Sequence, residues 1–470
     1  MVANISDSIH STTGTQGSLR LRFLGASGTV TGSKYLLTNR ENNILIDCGL
    51  FQGLKELRLQ NWDQFPIDPT KIEAIVLTHA HIDHSGYIPR LVTKGFKGKI
   101  FCTHATLELC KILLMDAGHL QEEEAEWLNR KKISKHSPAL PLFTQKEAEL
   151  ALEQFVPKNF DESFEVTQEI RSTFKYAGHI LGASSVIIEV NHIKIGFSGD
   201  LGRSNDSILY PPVKMPQVHY LVVESTYGNK LHEPTDPTKD LENVINEAQL
   251  KKGVILIPAF AVGRAQSLMH CLAELKKSGR IPDIPIYLNS PMAINVTNLF
   301  DKFKSLHKLS ALQCKELGEA VQYIKTVEES KALNEKTTPM IIISASGMAT
   351  GGRIIHHLKA FVSKPTTTVI LAGFQAAGTR GRALQDGAKE IKIHREMIPV
   401  LASVKVLKNI SAHADYSEIL DWMAQSKITP RKVFITHGEP DAADKMKEHV
   451  TERFKWHCEV PKQNQEFILD

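Results

Sequence analysis

What this sequence lacks narrows it first. Its apolar runs, such as residues 254–262 (VILIPAFAV), fall far short of the roughly 20 residues that cross a bilayer, so no membrane span is expected. Residues 1–18 (MVANISDSIHSTTGTQGS) have neither the basic start nor the apolar stretch of a secretory signal, and read as a disordered lead-in. The six cysteines are scattered with no C-x-x-C pair, and read as reduced small hydrophobes of a cytoplasmic enzyme, not as a disulfide framework. Charge of one sign is scarce too. The 56 Lys and Arg against 52 Asp and Glu leave +4 on 470 residues, which excludes a uniformly basic nucleic-acid binder. Histidine, by contrast, is plentiful at 20 residues, several beside acidic side chains, and His with Asp is the vocabulary of metal sites.

At roughly 100–200 residues per domain, the length suggests two to four domains. Short apolar runs punctuated by Gly, Asn and Pro predict strands at 19–24, 34–38, 43–48, 72–78 and 99–103. Helical periodicity follows over 106–128, with a second helix near 145–155, before strands resume at 185–190, 193–198 and 219–224. Beyond Asp200 the style changes to strand–helix alternation: 254–258 then 264–277, 285–288 then 292–303, 340–344 then 353–361, with a strand at 367–372. That alternation marks βαβ units and a parallel sheet. Strands at 404–407 and 432–436, each followed by a helix, close the chain. The pattern implies two α/β units, the second inserted in the first.

The strongest chemical signal is Leu77-Thr78-His79-Ala80-His81-Ile82-Asp83-His84, where an apolar strand runs straight into three histidines and an aspartate. Residues i and i+2 at a strand end share a face, so His79 and His81 can hold one ion. The following turn can aim Asp83 and His84 at a second ion about 3.5–4 Å away. Imidazole with carboxylate suits Zn²⁺. Two sites need more donors, and candidates recur at strand ends and turns: His179, Asp200, His413 and His437. Asp47 ends another apolar run and is better placed to orient a ligand from behind than to bind metal itself.

In sequence order, Asp47, the H-x-H-x-D-H run at 79–84, His179 and Asp200 resemble the metallo-β-lactamase superfamily. The 237 positions between Asp200 and His437, filled with βαβ material, narrow the resemblance to its β-CASP nucleases. These include the endonuclease subunit of eukaryotic pre-mRNA cleavage and polyadenylation, its archaeal and bacterial relatives and, more distantly, RNase J. Val223-Glu224-Ser225-Thr226-Tyr227-Gly228 resembles that family's motif A, Ser411-Ala412-His413-Ala414-Asp415 motif B, and Ile435-Thr436-His437-Gly438-Glu439 motif C. One departure is Asn289, where relatives often carry Asp.

The resemblance implies an αββα metallo-β-lactamase sandwich at 19–210 and 401–470, interrupted by a β-CASP α/β domain at 211–400 whose mostly parallel sheet is flanked by helices. It implies two Zn²⁺ per chain, with His79, His81 and His179 on the first, Asp83, His84 and His437 on the second, and Asp200 bridging. The histidine at motif C implies RNA processing, with single-stranded RNA as partner. On this reading His413 is the acid for the leaving oxygen, held by Glu224, with Asp83 beside them in the catalytic machinery. Two glycine-rich turns suit phosphate: Ser346, Gly347, Gly351, Gly352 and Arg353 in one, Arg380 and Arg382 in the other. Arg264 either joins them or only covers the sheet.

Residues 341–410 carry ten Lys and Arg against three acids, a local excess of +7 that suggests a basic groove. The rival functions are a small-molecule hydrolase of thioesterase or lactonase type on the same fold, and an inactive scaffold subunit. Residues 455–470 either dock between subunits of a homodimer or lie on their own core.

Overall fold

The computed structural model describes residues 18–134 and 136–470, so all of the predicted lead-in but Ser18 lies outside the described residues. Alternation builds the first strand: Leu19, Leu21 and Phe23 point inward, Arg20 and Arg22 outward. That strand joins a seven-stranded sheet in the order Glu466–Leu469, Leu19–Phe23, Tyr35–Asn39, Asn42–Ile46, Ile72–Val76, Lys99–Thr103 and Phe155–Lys158. A second seven-stranded sheet runs Cys458–Glu459, Lys432–Thr436, Tyr220–Glu224, Ile193–Phe197, Ala183–Val190, Ile170–Gly178 and Ser163–Glu165. Their facing surfaces share one apolar layer, with Leu21, Leu37 and Ile44 meeting Phe174, Ile188 and Phe434. Helices His104–Arg130 and Gln145–Leu152 contribute to the core on the outer side of the first sheet, and Tyr416–Ser426 and Pro440–Phe454 to that of the second. The result is the expected αββα sandwich.

The inserted unit is a six-stranded parallel sheet in the order Gln322–Tyr323, Ile286–Leu288, Met340–Ser344, Val254–Pro258, Thr368–Ala372 and Ser403–Leu407. Its central strands read as continuous apolar runs (VILIP, MIIIS, TVILA) because helices cover both faces. Sheet membership differs from the expected boundaries at both junctions. Tyr220–Glu224 still pairs inside the sandwich, and Ser403–Leu407 still pairs inside the insert. A boundary at 211 or at 400 therefore cuts one strand too early, because a short apolar run carries no local mark of which sheet it joins.

The closing segment lies on its own core: Glu466–Leu469 pairs antiparallel with Leu19–Phe23, and Cys458–Glu459 pairs with Lys432–Thr436. Sequence patterning also misses Ile170–Gly178, whose Arg171, Thr173 and Lys175 alternate with buried residues, and the hairpin Glu390–Ile393 with Glu396–Pro399.

One loop contact fixes the geometry of the strand-end residues. The segment after Asn42–Ile46 is stapled to the helix Ile82–Ser85 by backbone bonds from Cys48 N to His84 O (2.7 Å) and Leu50 N to Ile82 O (2.9 Å). Gly49 passes so close that a Cβ there would sit 1.6 Å from the Asp83 carbonyl oxygen. Backbone cannot yield as a flexible side chain can, so Gly49→Ala should cost at least about 3 kcal/mol, at the upper end of overpacking effects. A drop of several degrees in the midpoint of thermal unfolding, together with reduced bound metal, is the expected outcome.

Candidate metal centre

The site forms where strands of both sheets end side by side. His79 and His81 follow Ile72–Val76, His179 follows Ile170–Gly178, Asp200 lies just beyond Ile193–Phe197, and His437 directly follows Lys432–Thr436. The backbone turns sharply to aim these side chains: Asp47, His179 and His437 all sit in the left-handed region, at φ 58°, 55° and 51°. Each such conformation costs about 1–3 kcal/mol and persists only where the surrounding structure imposes it.

The ligand atoms fall into two groups. In the first, His81 Nδ1 lies 3.1 Å from His79 Nε2 and 3.0 Å from His179 Nε2, and Asp200 Oδ2 lies 3.4 and 3.5 Å from the same two nitrogens. In the second, His84 Nε2 is 3.1 Å from His437 Nε2, which is 3.5 Å from Asp83 Oδ2. Asp200 turns its other oxygen, Oδ1, to this group, 3.4 Å from His84 Nε2 and 3.6 Å from His437 Nδ1.

The donor set fits divalent ions. Ligands at about 2.0–2.1 Å around a tetrahedral ion stand roughly 3.3 Å apart, close to the edges seen here. Burial pushes His79 down to about 3 and His81 to about 4, and takes His179 well below its ordinary value. All three rings are thus neutral at pH 7, so lone pairs crowd one another unless a cation lies between them. Asp200 Oδ1 is buried and has no hydrogen-bond partner among the described residues, an arrangement whose cost a metal would remove. His84 behaves differently. Burial disfavours its cation, yet the Asp200 and Asp47 carboxylates raise it well above its usual value. A proton on Nε2 there stands where an ion would sit.

The supports behind the ligands are equally specific. Asp47 Oδ2 accepts from His84 Nδ1 at 2.7 Å, and Oδ1 accepts from the Thr78 amide at 2.8 Å. The Thr78 hydroxyl, bound to Asp47 at 2.9 Å, also lies 3.0 Å from His79 Nδ1, and Thr226 Oγ1 lies 3.1 Å from His437 Nδ1. Sequence reasoning passed over Thr78 and Thr226; both sit inside the recognised motifs, and only the fold assigns them partners.

Beside the first group, His413 Nδ1 lies 3.1 and 3.3 Å from the Glu224 carboxylate oxygens, its ring 4.5 Å from that of His179. Among the described residues Glu224 has no Lys or Arg partner, only His413, and it also accepts from the Leu201 amide at 2.6 Å. Burial works against protonation of His413, but the carboxylates facing it, Glu224 foremost and then Asp200 and Asp83, raise the group above its ordinary value. His232, another residue the motifs did not flag, lies with Nε2 2.9 Å from the His413 carbonyl oxygen, while its own amide donates to Asp415.

His81, Asp83, His179, Asp200, His413 and His437 line a cleft of about 3180 Å³ between sandwich and insert. The arginines expected to bind phosphate are largely committed to the protein. Arg353 donates to Asn289 Oδ1 (2.9 Å) and to the carbonyls of Ile324 and Lys325. Arg264 is buried, pushed down to about 10 by that burial, and donates to the Ile410 carbonyl. Arg380 is pinned on the carbonyls of Lys392, Ala349 and Thr350.

Arg382 pairs with Asp386 and does not line the cleft. A guanidinium with five donors is an efficient tie for loop carbonyls, which is the use made of these side chains. The expected basic groove weakens likewise, because Lys405 and Lys408 pair with Glu247 and Glu233 from outside the counted segment.

The glycine-rich turn faces the cleft with mixed roles. Ser346 ties the loop to Thr350 (2.9 Å) and Gly347 is forced by the Phe260 ring 2.5 Å from where a Cβ would lie, while Gly351 is open and Gly352 leads into the helix Arg353–Phe361.

If Asp47 orients His84, Asp47→Asn should weaken metal retention about 10–100-fold while leaving the fold in place. Competition against a chelator, with circular dichroism as the control, measures this.

The chain matches three family profiles in succession: "Metallo-beta-lactamase superfamily" over residues 28–259, "Beta-Casp domain" over 265–384 and "Zn-dependent metallo-hydrolase RNA specificity domain" over 397–461. It is 34% identical over 430 residues to "Ribonuclease TTHA0252" of Thermus thermophilus, covering 90% of this chain and 94% of that one. It is 31% identical to an "RNase J-like protein" of Methanocaldococcus jannaschii, covering 89% and 92%. It is also 31% identical to "Transcription termination factor FttA" of Methanosarcina mazei, covering 93% of this chain and 69% of that one. A crystal structure of a protein of unknown function from Enterococcus faecalis V583 shares the fold, with a TM-score of 0.53 at 14% identity over 96% of this chain and all of that one. With the order of domains, the donor residues and the identity to these relatives in agreement, the chain belongs to the β-CASP family of the metallo-β-lactamase superfamily.

Proposed function

We propose that this protein is a zinc-dependent ribonuclease that hydrolyses phosphodiester bonds of single-stranded RNA, using two Zn²⁺ per chain and cutting internally. The observation that carries this reading is the His413–Glu224 pair beside two donor groups that share Asp200, with His413, Asp200 and ligands of both groups opening on a cleft large enough for a polymer. The names of the Thermus and Methanocaldococcus relatives point the same way. Internal cutting rests on the resemblance to the endonuclease subunit of pre-mRNA processing. The six unpaired cysteines suit a reducing, cytoplasmic setting, and no helix among the described residues is long and apolar enough to cross a membrane.

His79, His81 and His179 would hold one ion and Asp83, His84 and His437 the other, with one Asp200 oxygen toward each. When bound, the pair would lower the pKa of a shared water to about 7 and offset charge building on the phosphoryl oxygens. The protein's own part is proton delivery. An alkoxide leaving group from ribose needs a proton, and His413 faces the cleft to give one. Glu224, at Nδ1, keeps that nitrogen protonated, so Nε2 is the atom that donates and the ring returns to one tautomer. A thioester or lactone hydrolase has less need of such an acid, which sets the small-molecule reading behind this one.

His413→Ala should reduce turnover about 10²–10⁴-fold with zinc content unchanged by elemental analysis. Loss of zinc in that variant would make His413 a ligand. RNA labelled separately at each end, with and without a 5′ phosphate, should yield internal fragments from both labels. Mononucleotide release from one end would replace internal cutting with exonucleolysis.

A further inference from the structure

The cleft has an aromatic end that the mechanism above leaves unused. Trp127, half-buried on the helix His104–Arg130 of the sandwich, lies with its ring centroid 6.5 Å from that of His394, at the turn of the hairpin Glu390–Ile393 with Glu396–Pro399. His394 in turn lies 5.1 Å from His356, on the helix Arg353–Phe361. All three rings line the cleft, and both histidines are exposed. The platform thus spans sandwich and insert, and Arg395, next in the hairpin, latches the two by donating to the Ile133 carbonyl at 3.0 Å.

The wall from the metal centre to these rings is continuous. His81 lies 6.4 Å from the Phe260 ring, against which Gly347 packs. The loop that follows reaches Thr350, whose carbonyl is held by Arg380, and the same guanidinium holds the Lys392 carbonyl two residues before His394. This wall offers a strand seated over the metal centre a lined route toward the rings.

Charge does not explain recognition at this end. Among the lining residues, Glu123, Glu390 and Glu396 offset Lys131, Arg380 and Lys392, so a phosphate backbone gains little there. Burial lowers both histidines, helped at His356 by His394 and Lys331 and at His394 by Lys359 and Arg380, so both rings are uncharged at neutral pH. Partly exposed aromatic rings, tryptophan and histidine among them, are what unpaired bases stack upon.

We propose that Trp127, His394 and His356 form a nucleobase-stacking platform for single-stranded RNA, away from the scissile phosphate. This rests on the ribonuclease reading and adds a second contact to it.

The test is binding of a labelled oligouridylate to the full-length protein, with one abasic nucleotide stepped along the strand. Wild type should lose affinity when the abasic site falls at one or two fixed positions, and lose little elsewhere. Trp127→Ala and His394→Ala should each weaken the intact RNA roughly five- to hundredfold and abolish that positional effect. Trp127→Phe should restore much of the binding, and the gap between wild type and either alanine variant should narrow as the oligonucleotide is shortened.

His394 is exposed, so its variant tests the idea even if Trp127→Ala fails to fold. Wild-type affinity in His394→Ala, or equal weakening of intact and abasic strands, overturns the platform but leaves the nuclease reading standing. Hydrolysis of bis(p-nitrophenyl) phosphate without any RNA binding by the wild type sinks the RNA reading, and the platform with it.

Discussion

The Asp200 carboxylate is the constraint around which the rest is arranged. It is 2% exposed and faces four imidazoles, two from each oxygen. Burying an isolated carboxylate costs several kcal/mol, and partners must offset it. Burial alone would raise its pKa, but His437, His84 and His79 hold it well below the carboxylate range. This ties together strand ends from both sheets, the left-handed backbone at His179 and His437, and the Asp47–Thr78 support. Remove the shared carboxylate and the two donor groups become two incomplete sites.

The insert contributes shape more than charge. Its arginines close loops by donating to carbonyls, and Asn289 shows how far this goes. Fully buried, it accepts from Arg353 and donates its amide toward Ser330 and His357, whose ring burial pushes down to about 4. A neutral amide suits a neutral ring there, since the amide's N–H can donate to the bare Nε2; an aspartate would need a proton on that nitrogen. The departure at this position is thus compatible with an ordered wall.

Legibility in the sequence followed chemistry more than topology. The H-x-H-x-D-H run could be read because strand periodicity and residue type coincide within six positions. Glu224 and His413, nearly two hundred positions apart, were found through motif resemblance, and the fold brings them to 3.1 Å. Local patterning could not place Tyr220–Glu224 and Ser403–Leu407 in their sheets, because pairing partners lie far along the chain. The arginines are ambiguous for a different reason. A guanidinium beside a glycine-rich turn looks the same in sequence whether it awaits phosphate or already holds a carbonyl, and only the coordinates distinguish them.

The path of the chain through the site has a consequence for its birth. His79 through Asp200 leave the ribosome early, while His437 follows only after the whole insert has been made. At about 5–20 residues per second, the 237 positions separating Asp200 from His437 take roughly 12–50 s to synthesise. Throughout that interval the nascent chain carries the first donor group complete but only Asp83 and His84 of the second. A chain threaded this way completes its donor set only after the insert that forms the other wall of the cleft has been made.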